Sequence, residues 1–275
     1  MSDSGAEHLL FIGGRFQPSE SGATIPLVDA SGKAIGTAAQ AGEADAVRCV
    51  EAARKAFSQW SSISGYARGA MLLAVARSVE RNTSSIAASL SSAGVSRRRA
   101  EREVISVSEL FDWYAGWCDK FAQVYGSVNP VQDPYVSFSV PEPIGVVGLV
   151  APSDSLLLGA VSRLAPALTA GNTAILVASQ GVAGAIGSLA KSIAEARLPD
   201  GTVNVLNGDT FELVDALVSG GGIDALDVPG GEAEGGLGGE IQLPGASITG
   251  RGSGRGPESI GRYCRSKGIW HSVGK

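Results

Sequence analysis

The stretch EPIGVVGLVAPSDSLLLGAVSRLAPALTAGNTAILVASQ, Glu142 to Gln180, decides the fold. It places an apolar run after Pro143, a break at Pro152 to Asp154, an apolar helical segment ending at Gly171-Asn172, and a second apolar run from Thr173 to Val177. Short apolar runs bounded by turn residues are the pattern of strands buried on both faces. Parallel neighbours need a crossover of a dozen or more residues, and the helix expected over Ser155 to Leu168 supplies one. Asp154 stands where an N-cap accepts the free backbone N–H groups of that helix. Gly145 and Gly148 read as entry to, and close packing of, the first strand; a GxxG pair alone is too common to mark a nucleotide site.

Downstream the alternation continues, with a helix over Ala183 to Ala196, a strand Val203 to Leu206, a helix near Phe211 to Val218 and a strand Ile223 to Val228. Upstream, Leu9 to Phe16, Thr24 to Asp29 and Ala34 to Gln40 read as short strands separated by turns. Helices follow over Glu43 to Trp60, Arg68 to Arg81 and Ser84 to Ala93. Arg97 to Val124, with Gly116 its one internal glycine and no proline, predicts a single long helix. Val131 to Pro141 alternates in the period of a strand with one wet face. Strands alternating with helices of this length predict an α/β fold, a doubly wound, Rossmann-like parallel sheet preceded by a strand and helix segment.

From Gly220 glycine dominates and no period is sustained. Such a composition buries too little apolar area to offset ordering entropy, so the expected organisation is one domain over residues 9–230 and a disordered, basic, Gly-rich tail over 231–275. The chain has 275 residues, 44% hydrophobic and 18% charged, with a formal charge of -5. That balance gives no reason to expect nucleic-acid or phospholipid binding. No apolar stretch reaches the roughly 18 residues of a membrane span, and the N-terminus lacks the features of a secretory signal, so a cytoplasmic address is expected. Cys49, Cys118 and Cys264 are widely spaced and support neither a disulfide framework nor a metal site.

Five segments in order carry a resemblance: FIGGRF, the helix-forming DASGKAIGTAAQAGEADAVRCVEAARKAFSQW, FDWYAGWCDK from Phe111 to Lys120, the Glu142 to Gln180 unit, and LPDGTVNVLNG from Leu198 to Gly208. Together they resemble the N-terminal, NAD-binding half of the NAD(P)-dependent aldehyde dehydrogenases. The substituted motifs make the chain most similar to the degenerate second module of the family-16 aldehyde dehydrogenases. The resemblance implies NAD(P) as cofactor and places its contacts at Val150, Ala151, Pro152, Val177, Gln180, Gly208 and Gly230. It also shows what has changed. The family's Pro-Trp-Asn turn is here Pro152-Ser153-Asp154, so a carboxylate stands at the position of the amide that donates to the oxyanion. The family's Lys and Glu that hold the adenosine ribose are here Val177 and Gln180, and its Phe-Thr-Gly-Ser loop keeps only Gly230.

The family's catalytic Glu-Leu-Gly-Gly segment and nucleophilic cysteine have no counterpart; Gly235 to Glu240 mimics the former in composition only, and Cys264 reads as an exposed tail thiol. The expectations are weak or absent NAD(P) binding and no catalytic residue. Three readings stand. The chain is a noncatalytic module that forms a homo- or hetero-oligomer with an aldehyde dehydrogenase-type subunit through the hairpin near Val131 to Val140. Alternatively it is a subunit of an NAD(P)-dependent oxidoreductase acting on aldehydes, or a nonfunctional truncated or frame-shifted product.

Overall fold

The long apolar runs of the sequence become the interior strands of a central sheet. In a computed structural model, residues 6–29, 31–132, 134–152, 157–220, 222–229, 247–248 and 256–273 are described. Their elements begin with β1 (Ala6–His8), β2 (Leu10–Ile12), β3 (Arg15–Gln17), β4 (Thr24–Val28) and β5 (Ala34–Ala39). Helices α1 (Glu43–Ser62), α2 (Gly65–Arg81), α3 (Thr83–Ser92), α4 (Arg97–Ala115) and α5 (Phe121–Tyr125) follow. Then come β6 (Ser127–Asn129), β7 (Tyr135–Pro143), β8 (Val146–Val150), α6 (Leu157–Ala170), β9 (Thr173–Ala178), α7 (Gln180–Glu195), β10 (Val203–Asn207), α8 (Thr210–Ser219) and β11 (Ala225–Asp227). The described C-terminal elements are β12 (Ser247–Ile248), α9 (Glu258–Gly261) and β13 (Cys264–Ser272).

The central sheet runs β12-β11-β8-β9-β10-β2-β3, parallel from β12 to β10 and closed on one side by the antiparallel hairpin of β2 and β3. Strand parity sorts its side chains into two cores. Val146, Val150, Ile175, Val177, Leu206 and Leu226 face α1 and α8. Val147, Leu149, Ala174, Leu176, Val203 and Val205 face the layer of α6 and α7, with α2, α3 and α4 behind. Every residue of β8, β9 and β10 is buried, which is why these segments read as unbroken apolar runs. The sheet is thus doubly wound. Gly145 enters β8 with φ +145, and a Cβ there would collide with the Asp224 carboxylate, which accepts from Val146 N at 2.7 Å and pairs with Arg54 at 2.9 Å.

Three departures from the sequence reading have physical causes. The strand expected over Leu9 to Phe16 folds back at Gly13-Gly14 into β2 and β3. The single helix expected over Arg97 to Val124 breaks after Ala115, where Trp117 N bonds Tyr114 O at 3.0 Å and Cys118 N bonds Ala115 O at 3.3 Å in tighter i to i−3 turns. At that break the chain lies against α2, whose Gly65 and Gly69 have no Cβ to obstruct the backbone of Ala115 and Cys118.

The third departure lies in the tail. Residues 256–273 are folded, although composition predicts disorder over 231–275. β13 pairs antiparallel with β7 from Cys264↔Pro143 to Ser272↔Tyr135, forming a separate sheet of order β13-β7-β6. Ahead of it, Ile260 and Tyr263 are buried at 0% and 2% exposure against the α6 side of the core. β13 itself is mostly exposed, so it is held by a ladder of backbone hydrogen bonds to a distant partner, and composition carries no trace of that. The remainder of the expected tail lies outside the described residues. Among the described residues no helix is long and apolar enough to cross a membrane.

Candidate functional site

In an open parallel sheet the crevice beyond the carboxyl ends of the strands is where ligands bind. Here those ends are Val150 to Pro152, Ala178 to Gln180, Asn207-Gly208 and Asp227 to Pro229. Two bonds hold the first three together: Ala151 N donates to Val177 O at 2.9 Å, and Gly208 N donates to Ala178 O at 3.1 Å. The structure therefore brings Val150, Ala151, Pro152, Val177 and Gly208 to one edge. Asp154, Ser153 and Gly230 lie outside the described residues.

The side chains at this edge are turned to packing. Val177 is fully buried in the core shared with Val150, Leu213 and Val214. An apolar side chain so enclosed offers a ribose nothing to bond. Gln180 opens α7 and is exposed, yet its Nε2 already donates to Pro26 O at 2.6 Å, tying the helix to the small sheet β1-β5-β4. Gly208 is glycine because a Cβ would stand 3.1 Å from Leu213 Cδ1 and 3.3 Å from Ala41 O, so the close approach it permits is to protein. The backbone frame of a dinucleotide crevice is present, but these side chains do not fit a ribose.

Asn207, which the sequence pattern does not single out, is the polar group of this edge. It ends β10 at 0% exposure, and neither its Nδ2 nor its Oδ1 has a hydrogen-bond partner among the described residues. Three residues earlier on the same strand, Asn204 is fully engaged, accepting from Gly13 N at 2.9 Å and donating to Gly201 O at 2.8 Å. A buried amide left unpaired costs about 1–3 kcal/mol. An asparagine closing the strand directly after the apolar pair Val205-Leu206 and before Gly208 is the signal that could have found it.

The second group that sequence reasoning misses is a buried cluster. Arg163 of α6 pairs with Asp227 at the end of β11, and Tyr263 donates its hydroxyl to the other oxygen of the same carboxylate. Arg163, Asp227 and Tyr263 are 6%, 1% and 2% exposed. Burial pushes the Asp227 carboxyl up, and the Arg163 guanidinium and Tyr263 hydroxyl pull it back. Burial, with the neighbouring Asp227 carboxylate, raises Tyr263 well above an ordinary phenol. The cluster fastens the C-terminal segment to the carboxyl edge of the sheet.

No thiol is activated. Cys49 is enclosed in α1, and burial with the nearby Asp45 raises it far above an ordinary thiol. Burial raises Cys118 too, against Arg68. Cys264, expected to be an exposed tail thiol among cations, instead packs at the start of β13 against the main core, and burial pushes it up to about 12. A thiol in that range is protonated at neutral pH and is a poor nucleophile. Among the described residues no group of three or more His, Cys, Asp or Glu is placed to hold a metal.

Comparison with known proteins agrees with this geometry. The model of the aldehyde dehydrogenase family matches residues 16–237. Aldehyde dehydrogenase family 2 member B4, mitochondrial, from Arabidopsis thaliana is 32% identical over 226 residues, covering 80% of this chain and 41% of its own length. The crystal structure of HpcC from Thermus thermophilus superposes with a TM-score of 0.81 at 30% identity, over 90% of this chain and 48% of that one. The NAD+ complex of aldehyde dehydrogenase from Bacillus cereus gives 0.78 at 25% identity, over 83% and 48%. The chain thus spans about half the length, or less, of the relatives it matches.

Proposed function

The chain belongs to the aldehyde dehydrogenase family, and from that premise we propose that it serves as a noncatalytic, cytoplasmic module that associates with an aldehyde dehydrogenase-type subunit. The observation that carries this reading is the apolar surface of the β13-β7-β6 sheet and the adjoining α5. By register, Trp270, 65% exposed, shares one face of this sheet with Tyr135, and Val128, 81% exposed, shares the other with Val136; Val124, Tyr125 and Val273 are exposed as well. Large apolar side chains left exposed on both faces of so small a sheet mark it as an interaction surface. Tyr135 and Trp270 already meet edge to face, with ring centroids 6.4 Å apart, which presents a rigid aromatic pair.

The lack of an activated thiol supports the noncatalytic part. Aldehyde oxidation in the family passes through a thiolate adduct, and the three thiols of this chain are all held in the neutral form by burial. The second reading, an NAD(P)-binding subunit, is favoured by one observation, the unpartnered Asn207 amide at the crevice edge. Against it stand Val177, which is enclosed in the core, and Gln180, whose amide is committed to Pro26. NAD(P) would therefore rest on backbone contacts and Asn207 alone. Assay of NAD(P)H formation with short and long aldehydes tests the noncatalytic reading: no turnover is expected, and turnover that exceeds a Cys264→Ala control overturns it.

A further inference from the structure

A cavity of about 870 Å³ opens at the opposite end of the central sheet, where β10 begins. Its floor is apolar, formed by Phe11, Ala56, Ile193 and Val203. Its rim carries Arg15 from the start of β3, Lys55 from α1 and Arg197 from the turn after α7. All three are exposed, and none has an ion pair or a side-chain hydrogen bond among the described residues. One carboxylate, Asp200, shares the rim.

Three unpaired cations meeting in one concavity run against the character of a chain whose formal charge is -5. Cations converging over a low-dielectric wall focus a positive potential into the space between them. Arg197 adds a local peculiarity. It is the one non-glycine residue with positive φ among the described residues, at +55, directly after the C-cap Ala196 of α7. Glycine is the usual occupant of that position, because a Cβ is strained there. Such strain persists where the side chain is wanted, and here it belongs to a cavity-lining guanidinium.

We propose that this cavity binds a small organic phosphate ester, its phosphate held by Arg15, Lys55 and Arg197 and its less polar body lying on the floor of Phe11, Ile193 and Val203. Guanidinium groups match phosphate oxygens in a two-pronged geometry, and lysine adds a point charge. Asp200 accepts from a hydroxyl of the ester, which favours a sugar phosphate or nucleotide over a bare anion. The volume suits a ligand of that size. The site stands at the other end of the strands from the family crevice and is independent of it.

The test is titration of the full chain with inorganic pyrophosphate and, separately, with AMP, followed by calorimetry and amide NMR. Saturable binding is expected, tighter for AMP, with shifts centred on Gly13, Gly14 and Gly201. The double variant Lys55→Gln/Arg197→Gly should weaken both at least tenfold. Arg197→Gly alone should weaken binding while raising the melting temperature, because it relieves the strained backbone; the loss then has no origin in unfolding. The proposal is overturned by an absence of saturation, by shifts centred on Gly208 at the other edge, or by affinity that stays within twofold in the double variant.

Discussion

Arg163→Met is the substitution to which this fold should respond most strongly. It removes the paired cation from Asp227, a carboxylate 1% exposed, and leaves it the Tyr263 hydroxyl and the charge of Arg262. Breaking a buried pair from one side costs about 3–5 kcal/mol. That is a large part of the roughly 5–15 kcal/mol by which domains are stable. At about 2–4 °C per kcal/mol for a chain of this size, the melting temperature should fall by about 10 °C. The loss should also depend on pH with a definite sign. Burial raises the Asp227 carboxyl in the folded state, and without Arg163 to oppose it the rise is larger. A folded state that takes up a proton at higher pH than the unfolded chain gains stability as pH falls through the raised value, so acid should narrow the gap between variant and parent. Apolar replacement of the whole cluster, Arg163→Met with Asp227→Leu and Tyr263→Phe, should recover much of the loss, since no buried polar group is then left without its partner. Urea unfolding followed by circular dichroism from about pH 7.5 to about pH 5 measures all of this. A single variant within about 1 kcal/mol of the parent, with no pH dependence, would refute the reasoning.

His8 should give a pH dependence of the opposite sense. Burial, reinforced by Lys191, lowers its pKa, so its contribution is fully present above the ordinary histidine value and is lost as pH falls toward the lowered one; His8→Phe should flatten the urea midpoint across that range. The alternate amides of β13 that bond β7 should be protected from hydrogen exchange while the outward ones exchange freely, and Ile260→Asp, which buries a charge at a 0% exposed position, should abolish that protection. NAD should bind more weakly than about 1 mM by calorimetry, whereas micromolar binding that Asn207→Ala removes would favour the cofactor-binding reading.

The central sheet is legible in the sequence because its signal is local. Val146 to Val150 and Thr173 to Ala178 are buried on both faces, so each displays its burial in its own composition. The small strands β4 and β5 and the helices α1 to α3 are legible from turn residues and periodicity. What escapes the sequence depends on distant partners. The break after Ala115 reflects the glycines of α2, and β13 is ordered by β7 far earlier in the chain, with little burial of its own. The site is half legible. Resemblance locates the edge through Val150, Val177 and Gly208, but the roles of its side chains lie in packing directions that a linear sequence does not state. Gln180 bonding Pro26, Asn207 left unpaired and Asp227 joined to Arg163 and Tyr263 are all of that kind.

The central claim, association through the Tyr135 and Trp270 face of the β13-β7-β6 sheet, is tested most directly by sedimentation velocity of the labelled chain mixed with a full-length aldehyde dehydrogenase. The account predicts that the labelled boundary moves to the larger species at micromolar concentration, and that Trp270→Glu, a change at a 65% exposed position, returns it to the position of the free chain without altering its melt. A boundary that stays with the free chain across the concentration series, or that shifts equally for Trp270→Glu, would contradict it.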